Sequence, residues 1–370
     1  PKPPLVLIAG STIGMAYLLF QRDKLALAQA SVAKSTTTTA PERIEKHLSP
    51  DPMELNVGFG LIKLVDRKQG GDLLDRITNL RRQIAQEVGI VVPPIRIRDD
   101  IQLQPNEFEV KLRGLRIGLG EIMPGQLMAI DGGAVTERIA GVETKEPAFG
   151  LPALWIDEAQ RHDAQHRGYT VVEPSSVIAT YLTEIIRRHA DELVTRHEVN
   201  RLLDHLKERS PKLVEEVIPT VLKPGEVQRV LQSLLRERVP VRDFEAILEA
   251  IADIAPRTRD PEILTEYARN AISRTLCHLH KGDDGRLHCI TLEPSLEQTI
   301  SKGLERSDHG TVLTLPPKLQ TRIVGAIAAE AEKATTALRG RNPVLLVPPQ
   351  IRLWVRRMLE VRLPAVSVLS

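Results

Sequence analysis

At Pro174 the hydrophobic pattern of this chain changes period, and that change limits what it can build. Before Pro174 apolar residues mostly alternate, the spacing of half-buried strands; from Pro174 to about Thr275 they recur at helical spacing. The order therefore predicts sheet units followed by a helical unit rather than one interleaved fold. Met53, Leu55, Val57, Phe59 and Leu61 fall on one face of a first strand. Gly70-Gly71 open a helix with Leu73, Leu74, Ile77, Leu80, Ile84 and Val88 on one side, and Gly89 stops it. Ile95 and Ile97 mark a strand, Phe108, Val110 and Leu112 another, and Gly114 turns the chain into a return strand at Leu115 and Ile117. Residues 125–172 read as a second α+β unit, poorer in helix.

After Pro174 five or six amphipathic helices follow one another, separated by Pro211, Pro219, Pro224 and Pro256. No fixed repeat period accompanies them, so a solenoid is not favoured. The last third mixes types. A hairpin is expected at 276–292 around Gly282-Asp283-Asp284-Gly285. Helices at 295–304 and 317–338, a strand at 344–347, a helix at 350–359 and a closing strand at 365–369 make a small α/β unit.

The start of the chain reads differently. Residues 5–20 (LVLIAGSTIGMAYLLF) carry no charge. As a helix they would span roughly 24 Å, slightly less than a hydrocarbon core of about 30 Å. Small residues (Gly10, Ser11, Thr12, Gly14) suit packing against other membrane helices. Arg22 and Lys24 follow, which places the downstream side in the cytoplasm. A transmembrane helix is expected there, with a cleaved signal peptide as the competing reading. The chain has no initiating Met and is expected to be the C-terminal part of a longer membrane protein. Residues 21–51, with four consecutive Thr and then Pro41, read as a linker, with a short helix around 25–33.

Composition excludes several classes. A net charge of +2 and 3% aromatic residues give no nucleic-acid footprint. Two cysteines in 370 residues cannot build a disulfide scaffold. Cys277, His278, His280, His288 and Cys289 are zinc-ligand types, but no C-x-x-C is present, and in the expected hairpin neighbours point to opposite faces. Ser175, Ser176, His189 and Asp191 are hydrolase types. However, His189 and Asp191 lie two apart on a helix and no G-x-S-x-G occurs, so a serine at the helix start is the simpler role. The phosphate-binding glycine motifs are missing as well. The runs Arg187-Arg188-His189, Glu215-Glu216 and Arg236-Glu237-Arg238 read as solvated helix faces or subunit contacts. No catalytic, cofactor or metal site is expected.

A recognition surface is expected instead at residues 147–182, where a strand, a polar helical segment, a second strand and a long helix succeed one another. Phe149, Tyr169, Val172, Val177 and Thr180 offer apolar and hydroxyl groups where two units should meet. Trp155, inside a continuous apolar run, is expected in the core. Phe149, between Pro147 and Gly150, is expected as an exposed anchor.

VDRKQGGDLLDRITNLRRQIAQEVGIVVPPIRIRDD (65–100), PAFGLPALWI (147–156), GYTVVEPSSVIATYLTEIIRRHADEL (168–193) and DFEAILEAIADIAPRTRDPEILTEYARNAISR (243–274) resemble, in order and over nearly the whole chain, the FlhA family of flagellar type III export-gate proteins. The injectisome export gates are a close alternative, though GYTVVEPSSVIATYLTEIIRRHA looks more flagellar. A membrane-anchored hydrolase is the alternative from another class. The resemblance implies an α+β multidomain fold: the last transmembrane helix at 5–20 and a flexible linker at 21–51, then four cytoplasmic subdomains. These would be an α+β subdomain at 52–124 plus 174–193, a second inserted at 125–173, a helical third at 194–273 and an α/β fourth at 274–370. It implies an inner-membrane protein with residues after 20 in the cytoplasm. Its partners would be export chaperones with bound flagellar substrates and other export-apparatus proteins, including the export ATPase complex, and copies of the chain would form a nonameric ring. Carried over residue by residue, the family's docking site falls on Glu146, Phe149, Val172, Val177 and Thr180, the acidic position being commonly Asp in the family and Glu here.

Overall fold

The first sheet begins where the alternation begins. In a computed structural model, residues 50–370 are described except 308, 309 and 339; the expected transmembrane helix at 5–20, the linker up to 49 and the short helix at 25–33 lie outside the described residues. β1 (Met53–Val57) pairs in parallel with β2 (Ile95–Asp99), and between them runs α1 (Leu73–Glu87). β3 (Glu107–Leu112) and β4 (Leu115–Glu121) complete the order β2-β1-β3-β4. Arg113 and Gly114, both at positive φ, make the tight turn joining β3 to β4. The first strand is shorter than its alternation predicts. Gly58 N–H bonds Glu107 O and Gly60 N–H bonds Pro105 O, so the chain turns at Val57 and Phe59 is left 67% exposed. A Cβ at Gly58 would stand 2.1 Å from Gln104 O, an approach only glycine permits.

A second sheet follows: β5 (Leu127–Ile130), β6 (Val142–Lys145), β7 (Pro152–Ile156) and, after the short α2 (Arg161–His166), β8 (Thr170–Val172), in the order β6-β7-β5-β8. The chain then returns through α3 (Pro174–Arg188), which packs against α1.

The helical period produces α4 (Arg196–Arg209), α5 (Pro211–Val217), α6 (Pro224–Arg236), α7 (Phe244–Ile254) and α8 (Pro261–Ala271). Pro174, Pro211, Pro224 and Pro261 occupy the first helical turn, where the missing N–H costs nothing. Their apolar stripes share one continuous core with the first sheet, α1 and α3.

The hairpin expected at 276–292 is corrected. Its first arm is α9 (Ser273–His280), and Ile272 and Leu276 enter the core at helical spacing. Its second arm, β9 (Cys289–Thr291), pairs in parallel with β12 (Val344–Leu346). A short run such as Leu276–His280 fits either period, and only the contact with Ile272 decides. Between them lie α10 (Pro294–Lys302), the small pair β10 (Leu304–Ser307) and β11 (Gly310–Leu313), and α11 (Pro317–Ala337). α12 (Pro349–Leu359) and β13 (Ser367–Leu369) close a parallel sheet, β13-β12-β9, with its own core. No helix among the described residues is long and apolar enough to cross a membrane.

Candidate docking surface

The second sheet buries both faces, and one of them organises the site. Leu127, Ala129, Leu154 and Ile156 point to one side and make a small core with Ile139, Ala164 and Tyr169. Met128, Ala153 and Trp155 point the other way, into the main core with Val177 and Tyr181, and Val172 packs against that core from the edge strand. α3 lies against β5 on this side.

The turn between β6 and β7 displays Phe149. Gly150, at φ +71, donates its N–H to Glu146 O at 2.9 Å. The Glu146 carboxylate is 3% exposed and folds back on its own loop. One oxygen accepts the Ala148 N–H at 2.9 Å and the other the Phe149 N–H at 2.7 Å. Charge-assisted bonds to two consecutive amides clamp the turn. Ala148 is held inward, in the main core, while Phe149 stands 64% exposed. The backbone that carries Phe149 is thus fixed by its own loop.

The five expected site residues are not equivalent. Phe149 and Thr180 are exposed and Val172 is half-buried. Val177 is 2% exposed, because its side of α3 is turned toward the core. Val177 and Glu146 are thus both buried and present no side-chain surface. Tyr169 belongs to the second sheet's own core and offers no surface. Strand register also separates the exposed groups. Val172 pairs with Met128, whereas the Phe149 turn lies past the Lys145–Pro152 pair, at the level of Asp131 and beyond. Three residues of strand are about 10 Å, so these side chains mark an extended face rather than the walls of one pocket.

α3 is anchored at its start and middle. Arg76 bridges Asp72 and Glu173, each at 2.5 Å. Burial pushes the Asp72 carboxyl up, but hydrogen bonds from Ser175 and Arg76 outweigh it and hold the group below the usual carboxylate range. Ser175 is thus a buried partner of Asp72, and Glu173 precedes the helix where a serine was expected to start it. Midway, the Tyr181 hydroxyl accepts the Leu119 N–H at 3.1 Å and faces Leu119 O at 3.4 Å, capping the outer edge of β4.

The zinc-type residues do not gather. Cys277, His278 and His280 lie on α9, Cys277 and Cys289 are both exposed thiols, and among the described residues no three potential ligands form a metal-sized group.

One cluster was misread from sequence. Glu237, assigned to a solvated run, is one of four members of a largely buried charge network. Arg352 of α12, 0% exposed, bonds Glu237 at 2.7 Å and Glu266 at 2.7 Å, and Arg269 bonds Glu237 at 3.1 Å and Val368 O at 3.2 Å. Burial pushes the Glu237 carboxyl up, yet Arg269 and Arg352 outweigh it and hold it below the usual range. The partners lie 115 residues apart in sequence, beyond any local pattern.

The family model described as FHIPEP matches residues 1–370. The chain belongs to the FHIPEP family. The FlhA of Bacillus subtilis (strain 168), "Flagellar biosynthesis protein FlhA", is 43% identical over 331 residues, 90% of this chain and 49% of that protein. The chain therefore spans about half the length of the curated relatives it matches. Among solved structures, the Chlamydia pneumoniae CdsV and CdsO protein complex matches with a TM-score of 0.73 at 24% identity, covering 86% of this chain and 95% of that one. The cryo-EM structure of nonameric EPEC SctV-C matches with a TM-score of 0.71 at 21% identity, covering 87% and 94%. These two establish the mixed α/β multidomain fold of this FHIPEP member, and the relatives bear out the resemblance to FlhA.

Proposed function

We propose that this chain is the cytoplasmic part of a flagellar type III export gate, anchored in the inner membrane by residues 5–20, which docks export chaperones with their bound flagellar substrates and passes the cargo to the channel. Phe149 carries the proposal: an aromatic side chain held in solvent by a buried carboxylate, on the same insert as Val172 but a few strand residues away from it, is built for contact rather than for core. The relatives support a flagellar rather than an injectisome gate, since the curated match at 43% identity is flagellar. In this reading the subdomains are 52–124 with 174–193, the insert 125–173, the helical 194–273 and the α/β 274–370. The nonameric state of SctV-C supports a ring of nine copies, and the CdsV–CdsO complex supports contacts with other export proteins.

The test is chaperone binding by Phe149→Ala. The exposed side chain leaves the fold intact, so unfolding should be unchanged while affinity for a loaded flagellar chaperone falls by about 2 kcal/mol or more. Unchanged affinity and motility would remove the site assignment.

A further inference from the structure

Away from the docking face, a cavity of about 350 Å³ opens where the ends of α1 and α6, the side of α3 and the last turn of α9 meet. It shares no residue with the surface around Phe149, and its size is that of small-molecule sites. Its frame is set by close backbone contacts. Val241 N–H bonds Val88 O at 2.7 Å. Gly89 lies at φ +85, and a Cβ there would stand 2.3 Å from the Arg242 nitrogen, so the loop before α7 is pressed onto the end of α1. Arg238, on the wall, holds φ +58, a region few side chains adopt. That φ makes it the left-handed residue with which α6 ends: Arg238 N–H bonds Leu235 O and Val239 N–H bonds Leu234 O.

The charges on the wall are answered with one exception. Arg187 pairs with Glu87, and Arg238 reaches the largely buried Glu184 at 2.9 Å. Arg242 makes no ion pair among the described residues. Around it the lining is apolar: Val88 and Leu235 inside, and Leu279, a leucine left 51% exposed, at the mouth. The wall sets three guanidinium groups against the two carboxylates of Glu87 and Glu184, an excess of one positive charge that falls on the exposed Arg242. A small multivalent anion would make no use of Leu279.

We propose that this cavity binds an aliphatic carboxylate, with the chain against Val88, Leu235 and Leu279 and the carboxylate on Arg242. Such a group can come from a free acid or from the end of a polypeptide that finishes in an aliphatic residue. The test is methyl NMR of the whole chain titrated with octanoate, with N-acetyl-leucine and with N-acetyl-leucine amide. Octanoate or N-acetyl-leucine should shift the Leu235 and Leu279 methyls in a saturable way, and which of the two binds tells the sources apart. The amide should bind roughly tenfold more weakly, and Arg242→Gln should weaken the acid to the level of the amide. Leu279→Ser, at an exposed position, should weaken both. The proposal is overturned if neither acid moves these methyls, if acid and amide bind alike, or if Arg242→Gln leaves the acid's affinity unchanged while its methyl spectrum shows a folded protein.

Discussion

At the scale of single residues, Glu146 decides how Phe149 is shown. A glutamine at 146 keeps one carbonyl acceptor but turns an amide N–H₂ toward the second backbone donor. Glu146→Gln should therefore loosen the turn and lower stability by about 1–3 kcal/mol, read as an earlier urea midpoint and faster exchange of the Phe149 amide. Glu146→Asp retains both acceptors and should restore most of the protection. If Glu146→Gln leaves Phe149 exchange unchanged, the carboxylate is not the clamp. The resemblance through PAFGL put position 146 at the expected docking site, but gave no sign of its fold-back onto the loop. An acidic residue beside an exposed aromatic reads as a contact, and only the fold-back to Ala148 and Phe149 shows a support.

Among the elements, α3 couples the two sheets. Tyr181 meets the Phe108 ring edge-on at 5.4 Å and caps Leu119 on β4. Gly118 has no room for a side chain beneath that hydroxyl, a Cβ standing 2.5 Å away. Tyr181→Phe keeps the ring contact and loses the cap. It should cost about 1 kcal/mol, measured by chemical denaturation, and expose the Leu119 amide to faster exchange. No loss of stability and no change in exchange would show that water serves the β4 edge equally well. Elements with long, consistent periods were readable in the sequence: α1, α3, the helices up to α8, and the strands carrying Phe108 or Trp155. The elements missed were short or set by distant contacts. β1 stopped early because Gly58 and Gly60 bond the 105–107 backbone, α9 replaced a strand, and the β10–β11 pair was not anticipated.

For the molecule as a whole, the charge network ties the last segment to the helices. Arg352→Met leaves Glu266 without its cation and Glu237 with Arg269 alone, and should cost about 3–5 kcal/mol, seen as an early denaturation midpoint. The depressed Glu237 carboxyl also sets a pH dependence. Its stabilisation is complete above the ordinary carboxylate range and is lost as pH falls through its lower folded value. Acid should thus destabilise the native protein over that window, and Arg352→Met should flatten the slope; an unaltered slope would assign the acid sensitivity elsewhere. The two tryptophans of the chain happen to divide the molecule between them. Trp354 stacks under Arg357 at 4.8 Å, whereas Trp155, 2% exposed, lies on the side of the second sheet that α3 covers. With Trp354 replaced by Phe, the remaining indole becomes an optical gauge of that seam. Its emission should stay blue while α3 covers the second sheet and move red with any separation that admits water, so opening of that seam could be followed without attaching a dye.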